Sequence, residues 1–119
     1  MNLNNETFFK MLSDNTRLRA LMLMQRMGEL CVCELTDTLN LSQPKISRHL
    51  ALLRENKLVE TRRDGQWMYY QIDTSLPQWA INVLQQTLSG IGGEEQYESD
   101  YLLLKNSKLQ ENSNCSKNE

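Results

Sequence analysis

No apolar run in this sequence approaches the roughly 18 to 20 residues that a membrane span needs, and the opening MNLNNETFFK lacks the charged-then-apolar layout of a secretory signal. A cytoplasmic chain with no membrane partner is expected. Cysteine is scarce: three in 119 residues, two of them separated by one position. That excludes a disulfide framework, and in a reducing compartment leaves the thiols as ligands or sensors. Histidine is scarcer still, with His49 alone. One imidazole cannot assemble a nucleophile and base, and there is neither a glycine-rich phosphate loop nor an acid pair with a cleft. No enzyme is expected, and no required cofactor.

Positive charge is also short overall, with a formal net charge of −2, but its distribution is uneven. Residues 42 to 70 hold Lys45, Arg48, Arg54, Lys57, Arg62 and Arg63 against Glu55, Glu60 and Asp64, a surplus of three, whereas residues 93 to 119 hold six acids against three lysines. An acidic tail hides a basic module from the whole-chain average, and that module suits nucleic acid. With 39% apolar residues, the chain can build one core. The expected division is a domain over 1–92 and an acidic, polar tail over 93–119, largely disordered.

Phe8, Phe9 and Leu12 fall at helical spacing, and Ser13 or Asp14 can cap a second helix from about Asn15 to Met27 that Gly28 stops. A short helix follows Glu29-Leu30-Cys31-Val32-Cys33-Glu34-Leu35, its Leu35 and Leu39 sharing a face, and Asn40-Leu41 makes a tight break. Ser42 then caps the clearest helix, with Pro44 in its first turn and Ile46, Leu50 and Leu53 as its apolar stripe. Its other side carries Gln43, Lys45, Ser47, Arg48 and His49, short or flexible polar groups that suit a groove. Leu58–Arg63 and Trp67–Ile72 read as strands joined at Asp64-Gly65, a basic hairpin with Arg62 and Arg63 at its tip. A last firm helix starts near Pro77 and ends at Gly90, Gly92 and Gly93. Tyr97–Leu104 offers at most a loose helical turn or two.

Two short helices, a tight break and a basic hairpin make a winged helix-turn-helix: mainly α, with a β-hairpin wing. Lys45, Arg48, Arg62 and Arg63 can neutralise phosphates, while Gln43, Ser47 and Arg48 can meet base edges. His49 either holds the turn or joins them. Trp67 and Tyr69 either touch nucleic acid or hold the wing. So small a domain reads one half-site, so a homodimer is expected on double-stranded operator DNA.

The run ELCVCELTDTLNLSQPKISRHLALLRENKLVETRRDGQWMYY closely resembles the ArsR family of metalloregulatory repressors, and LSDNTRLRALMLM is similar to the segment preceding it; the likeness spans roughly residues 7 to 88. The resemblance implies that SQPKISRHLALLRE is the recognition helix and CVCEL an arsenic-sensing motif, with As(III) or Sb(III) as inducer. It also implies a dimer interface formed by the first helix and the helix from Pro77 to Leu88, hence by Phe8, Phe9, Leu12, Trp79, Val83, Leu84 and Leu88. Two recognition helices would then face successive major grooves of an imperfect inverted repeat. Zinc sensors of this family carry carboxylate and histidine ligands on the last helix, which DTSLPQWAINVL does not supply in that pattern.

Cys31 and Cys33 lie at or just inside a helix start, where free peptide N–H groups favour thiolate. Residues two apart in a helix point about 200° apart, so a single metalloid holding both sulfurs is expected to unwind or tilt that turn and so disturb the recognition helix. Thr36 stands where many arsenic-sensing relatives carry a third cysteine. Cys115 could supply that sulfur, the roughly 27 residues beyond Leu88 spanning about 28 Å if flexible, or it is an idle thiol and a small cellular thiol completes the site. A repressor of the same fold that responds to thiol oxidation is the alternative reading.

Overall fold

The computed structural model describes residues 3–109. Helix α1 (Asn5–Leu12) begins where the Asn4 side chain accepts the Thr7 N–H at 2.9 Å. In α2 (Asn15–Met27) Asp14 caps through Arg17 N–H at 3.1 Å, and Gly28 stops the helix with φ 87°, a conformation costly for any residue with a Cβ. A two-residue strand, β1 (Leu30–Cys31), leads straight into α3 (Val32–Leu39). Asn40 ends α3 in the left-handed region, φ 58°, which asparagine tolerates better than most residues. Ser42 then caps α4 (Gln43–Glu55) by accepting the Lys45 N–H. Strands β2 (Val59–Asp64) and β3 (Trp67–Ile72) form the hairpin, followed by α5 (Gln78–Ile91) and α6 (Glu95–Leu109).

The three strands pair antiparallel in the order β1-β3-β2. Leu30 stands opposite Tyr70, and Cys31 opposite Tyr69, which in turn faces Arg62. Directly paired residues project to the same face of a sheet, so Cys31, Tyr69 and Arg62 share one rung. The core beneath is built from Leu21 and Leu23 of α2, Leu35 of α3, the Ile46–Leu50–Leu53 stripe of α4, Leu84 of α5 and Leu104 of α6, each at most 2% exposed. This is the expected winged helix-turn-helix, with α3 and α4 as the paired helices and β2–β3 as the wing.

Two local expectations change. Asp64 pairs with Trp67, so the hairpin loop is Gly65-Gln66 rather than Asp64-Gly65, with Gly65 supplying the positive φ of 66° at the first loop position. Helix α5 runs through Gly90 and is capped at Gly92, within the glycine group expected to end it. Residues 95–109 are an ordered helix, not part of a disordered tail. Tyr97, Tyr101 and Leu104 at i, i+4 and i+7 pack on the core, and Asp100, 3% exposed, makes a two-pronged ion pair with Arg19 of α2 at 2.8 and 2.9 Å. Composition alone marked this stretch as acidic and polar; its partner lies 81 residues earlier.

Candidate DNA-reading face and thiol site

On α4 the stripe that packs inward leaves Gln43, Lys45 and Arg48 exposed, with Ser47 half-buried between them. Gln43 Nε2 donates to Ser47 Oγ at 3.0 Å, so these two present a joint polar surface one turn apart. His49 faces elsewhere. Its Nδ1 meets Arg17 Nη1 at 3.1 Å, and that buried guanidinium also donates to the carbonyls of Met11 and Lys10. Burial pushes the imidazole below its usual range, and the neighbouring Arg17, Arg48 and Lys45 charges add to this against the opposing pull of Asp14. A neutral ring that accepts from Arg17 ties α4 to α2, the turn-holding role. The sequence offered no sign that Arg17 would be its partner.

The two wing arginines differ. Arg62 is clamped by Glu29, which accepts from Nε at 2.6 Å and from Nη2 at 2.8 Å, and its guanidinium lies 4.9 Å from the Tyr69 ring centre. Tyr69 thus packs against an arginine of its own wing. Arg63 is exposed, with no ion pair among the described residues.

Cys31 is the N-cap of α3, not a residue within it, and its backbone is extended at φ −94°, ψ 166°. The 200° divergence expected of two helical residues therefore does not apply: the Cys31 and Cys33 sulfurs are 3.5 Å apart. Cys31 stands where a serine or threonine would in a capping box. Its sulfur faces the Glu34 N–H, and Glu34 Oε1 accepts the Cys31 N–H at 3.0 Å. The spacing Cys-x-x-Glu carries that signal in the sequence. The thiolate expectation is also reversed for Cys31. Burial pushes its thiol up, and the Glu34 carboxylate adds to this, outweighing the backbone N–H groups of Glu34 and Cys33 that pull the other way.

A cavity of about 320 Å³ opens beside the sulfurs, lined by Cys31, Cys33 and Thr36, by Gln43 at the start of α4, and by Trp67 and Met68 of the wing. Thr36 Oγ1 donates to the Val32 carbonyl at 2.9 Å, so its hydroxyl is turned onto its own helix. On the far side, Lys108 near the end of α6 reaches Glu34 Oε2 at 2.9 Å. Cys115 lies outside the described residues. Helix α6 extends to Leu109, and five positions of sequence, 110–114, separate that residue from Cys115.

The expected dimer residues separate into two kinds. Phe8 and Leu84 are 0% and 1% exposed within the single chain, so they belong to its own core and are not available to a partner. Phe9 and Trp79 are 51% and 41% exposed and stack at 6.2 Å between ring centres, with Phe8 edge-on beneath both. Leu12, Val83 and Leu88 are partly buried against the core.

The family model described as bacterial regulatory protein, arsR family, matches residues 14–61, from the Asp14 cap into the wing. The chain is 59% identical over 80 residues to the arsenic resistance transcriptional regulator ArsR2 of Pseudomonas putida, covering 67% of this chain and 70% of that protein. This chain belongs to the ArsR family. It is 49% identical over 78 residues to the arsenical resistance operon repressor of Escherichia coli, covering 66% of this chain and 67% of that one. Among solved structures, the antimony-specific transcriptional repressor AntR superposes with a TM-score of 0.60 at 29% identity, over 75% of this chain and 78% of that one. ArsR-family proteins are winged helix-turn-helix DNA-binding regulators rather than enzymes, in keeping with the outward polar row of α4. Among the described residues no helix is long and apolar enough to cross a membrane.

Proposed function

We propose that the chain represses transcription in the cytoplasm as a homodimer on an imperfect inverted repeat, and leaves the DNA when As(III) or Sb(III) binds Cys31 and Cys33. The observation that carries this is the 3.5 Å separation of the two sulfurs. Bonds of about 2.3 Å from a soft centre to sulfur put two ligated sulfurs roughly 3.3 to 3.8 Å apart, so the pair is already at ligand spacing. Neutral arsenous acid needs no thiolate. With the cysteines reduced, each As–S bond forms as an As–O and an S–H bond break and one water leaves, so the raised Cys31 thiol is no obstacle. The relatives named for arsenic and antimony support the same inducers.

Release then comes from what Cys31 gives up rather than from forcing distant sulfurs together. A coordinated Cys31 sulfur no longer caps the α3 N-terminus, and its backbone belongs to the same rung as Tyr69 and Arg62. Both the helix that seats α4 and the wing that flanks it feel the change, which gives the ligand different affinities for the gripping and released shapes. Coupling of about 1 to 3 kcal/mol, typical of such linkage, lowers operator affinity roughly 5- to 150-fold.

On this reading Gln43, Ser47 and Arg48 meet base edges, while Lys45, Arg48 and Arg63 meet phosphates, with Arg62 joining them when Glu29 lets go. Phe9, Trp79, Leu12, Val83 and Leu88 face the partner subunit. An inorganic metalloid takes a third ligand, for which Cys115 and a small cellular thiol are the two candidates.

A labelled-operator titration with arsenite, antimonite, zinc and peroxide in parallel tests the proposal. Arsenite and antimonite release the parent and spare a C31S/C33S double variant. Release of the double variant by arsenite contradicts the site; release by peroxide alone favours the redox reading.

A further inference from the structure

We propose that Glu29 competes with DNA phosphate for Arg62: its carboxylate holds the guanidinium by the edge a phosphate would use, and so sets how much the wing adds to operator affinity. The inference deepens the reading of the wing as a phosphate-binding element and rests on it. Glu29 Oε2 accepts from Nε at 2.6 Å and Oε1 from Nη2 at 2.8 Å, so both carboxylate oxygens occupy one edge of the guanidinium. A phosphate offers two oxygens to the same two donors in the same plane. That edge therefore takes Glu29 or DNA, not both. The rest of the group is also engaged, with Asp64 3.9 Å from Nη1 and the Tyr69 ring centre 4.9 Å from the guanidinium carbon.

The two partners are unequally free. Glu29 follows Gly28, whose N–H is bonded to the Met24 carbonyl at the end of α2, and precedes Leu30, which pairs with Tyr70 in the sheet. Its backbone is thus fixed on both sides. Arg62 projects from β2 on a longer arm, with 53% of its side chain exposed against 29% for Glu29. The arginine is the partner that swings, and an ion pair this exposed holds it weakly enough for a phosphate to displace the carboxylate.

The exchange has a signature in salt. An unengaged arginine that meets a phosphate releases that phosphate's condensed cation, which steepens the salt dependence of binding. An arginine taken from Glu29 leaves behind a carboxylate that has to be neutralised again, which offsets the release. In the parent chain the Arg62 contact accordingly adds little to the salt slope, and removing the Glu29 charge uncovers it.

A cycle of full-length parent, Glu29→Gln, Arg62→Ala and the double variant tests this, by anisotropy at several salt concentrations. The probe is a labelled duplex selected from random sequence by binding to the parent. Glu29→Gln is expected to tighten binding about 1.5- to fivefold and to steepen the salt slope by up to about one phosphate contact. In the Arg62→Ala background the same substitution is expected to lose most of that gain. Glu29→Ala repeats the test without an amide that could bond Arg62, and melting of each variant checks that it is folded. An equal gain in both backgrounds is general charge repulsion and overturns the proposal. Where Glu29→Gln brings no gain, Arg62→Ala beside it tells which idea fails. Loss of about one phosphate contact there leaves the wing on DNA and overturns the competition alone; no loss takes Arg62 off the DNA and overturns the wing reading beneath it.

Discussion

Helix α6 is held by similar ion pairs in different surroundings, one near its middle and one at its C-terminal end. Asp100 meets Arg19 through two hydrogen bonds with side-chain exposures of 5% and 13%, whereas Lys108 meets Glu34 through one, with Lys108 at 35%. A buried, two-pronged pair is hard to break without stranding a charge. A part-exposed lysine contact contributes little stability and is readily exchanged for water. The first pair therefore anchors the helix, and the second is an adjustable contact beside the proposed metalloid site, at the residue next to Cys33.

The sharpest way to break this comparison is Asp100→Ala. Leaving Arg19 buried without its carboxylate costs about 3 to 5 kcal/mol, and thermal melting should drop by more than about 10 °C; a loss below about 1 kcal/mol would make the two pairs equivalent. The same contrast of engaged and open charges recurs on the wing. Arg63→Ala should weaken operator binding several-fold and lower the salt slope by about one phosphate contact, while Arg62→Ala, which also strands Glu29, should lower it by less. Salt-dependent anisotropy distinguishes them. For Lys108→Ala the expected stability change is under about 1 kcal/mol, with a measurable shift in the arsenite concentration that releases DNA. An unchanged release midpoint would make that contact a bystander.

The smallest effect concerns His49. Its folded value lies below the ordinary 6.5, chiefly through burial, so the unfolded chain takes up its proton first as pH falls. The stability from this group is complete above about pH 6.5 and is lost as pH drops through the folded value. Melting measured from pH 7.5 to 5.5 should fall less in His49→Gln, which keeps an acceptor for Arg17 and has no proton to gain.

How much of this was legible in the sequence depended on the range of the cause. Caps and stops are local, so Asp14, Gly28 and Ser42 marked helix boundaries that the structure reproduces. The wing was legible because alternation and a glycine turn are local too. Helix α6 was not, because the Arg19 that neutralises Asp100 lies 81 residues away and an acidic, polar composition looks the same whether or not it has a partner. At the thiol site the residue types and spacing pointed to a soft ligand, but a helical geometry was assigned to Cys31. One extended residue at the cap reverses the direction of its side chain, and periodicity does not report single backbone angles. The inward turn of His49 was equally invisible, since Arg17 reads as an ordinary surface residue of α2.

Strand β1 is only two residues long, yet it makes transplantation of the sensor demanding. On the proposed function, grafting the Cys-Val-Cys tripeptide onto another winged scaffold transfers a metalloid site without its readout, because the short edge strand that stitches Cys31 to Tyr69 stays behind. A biosensor built from this chain has to carry the seam along with the thiols.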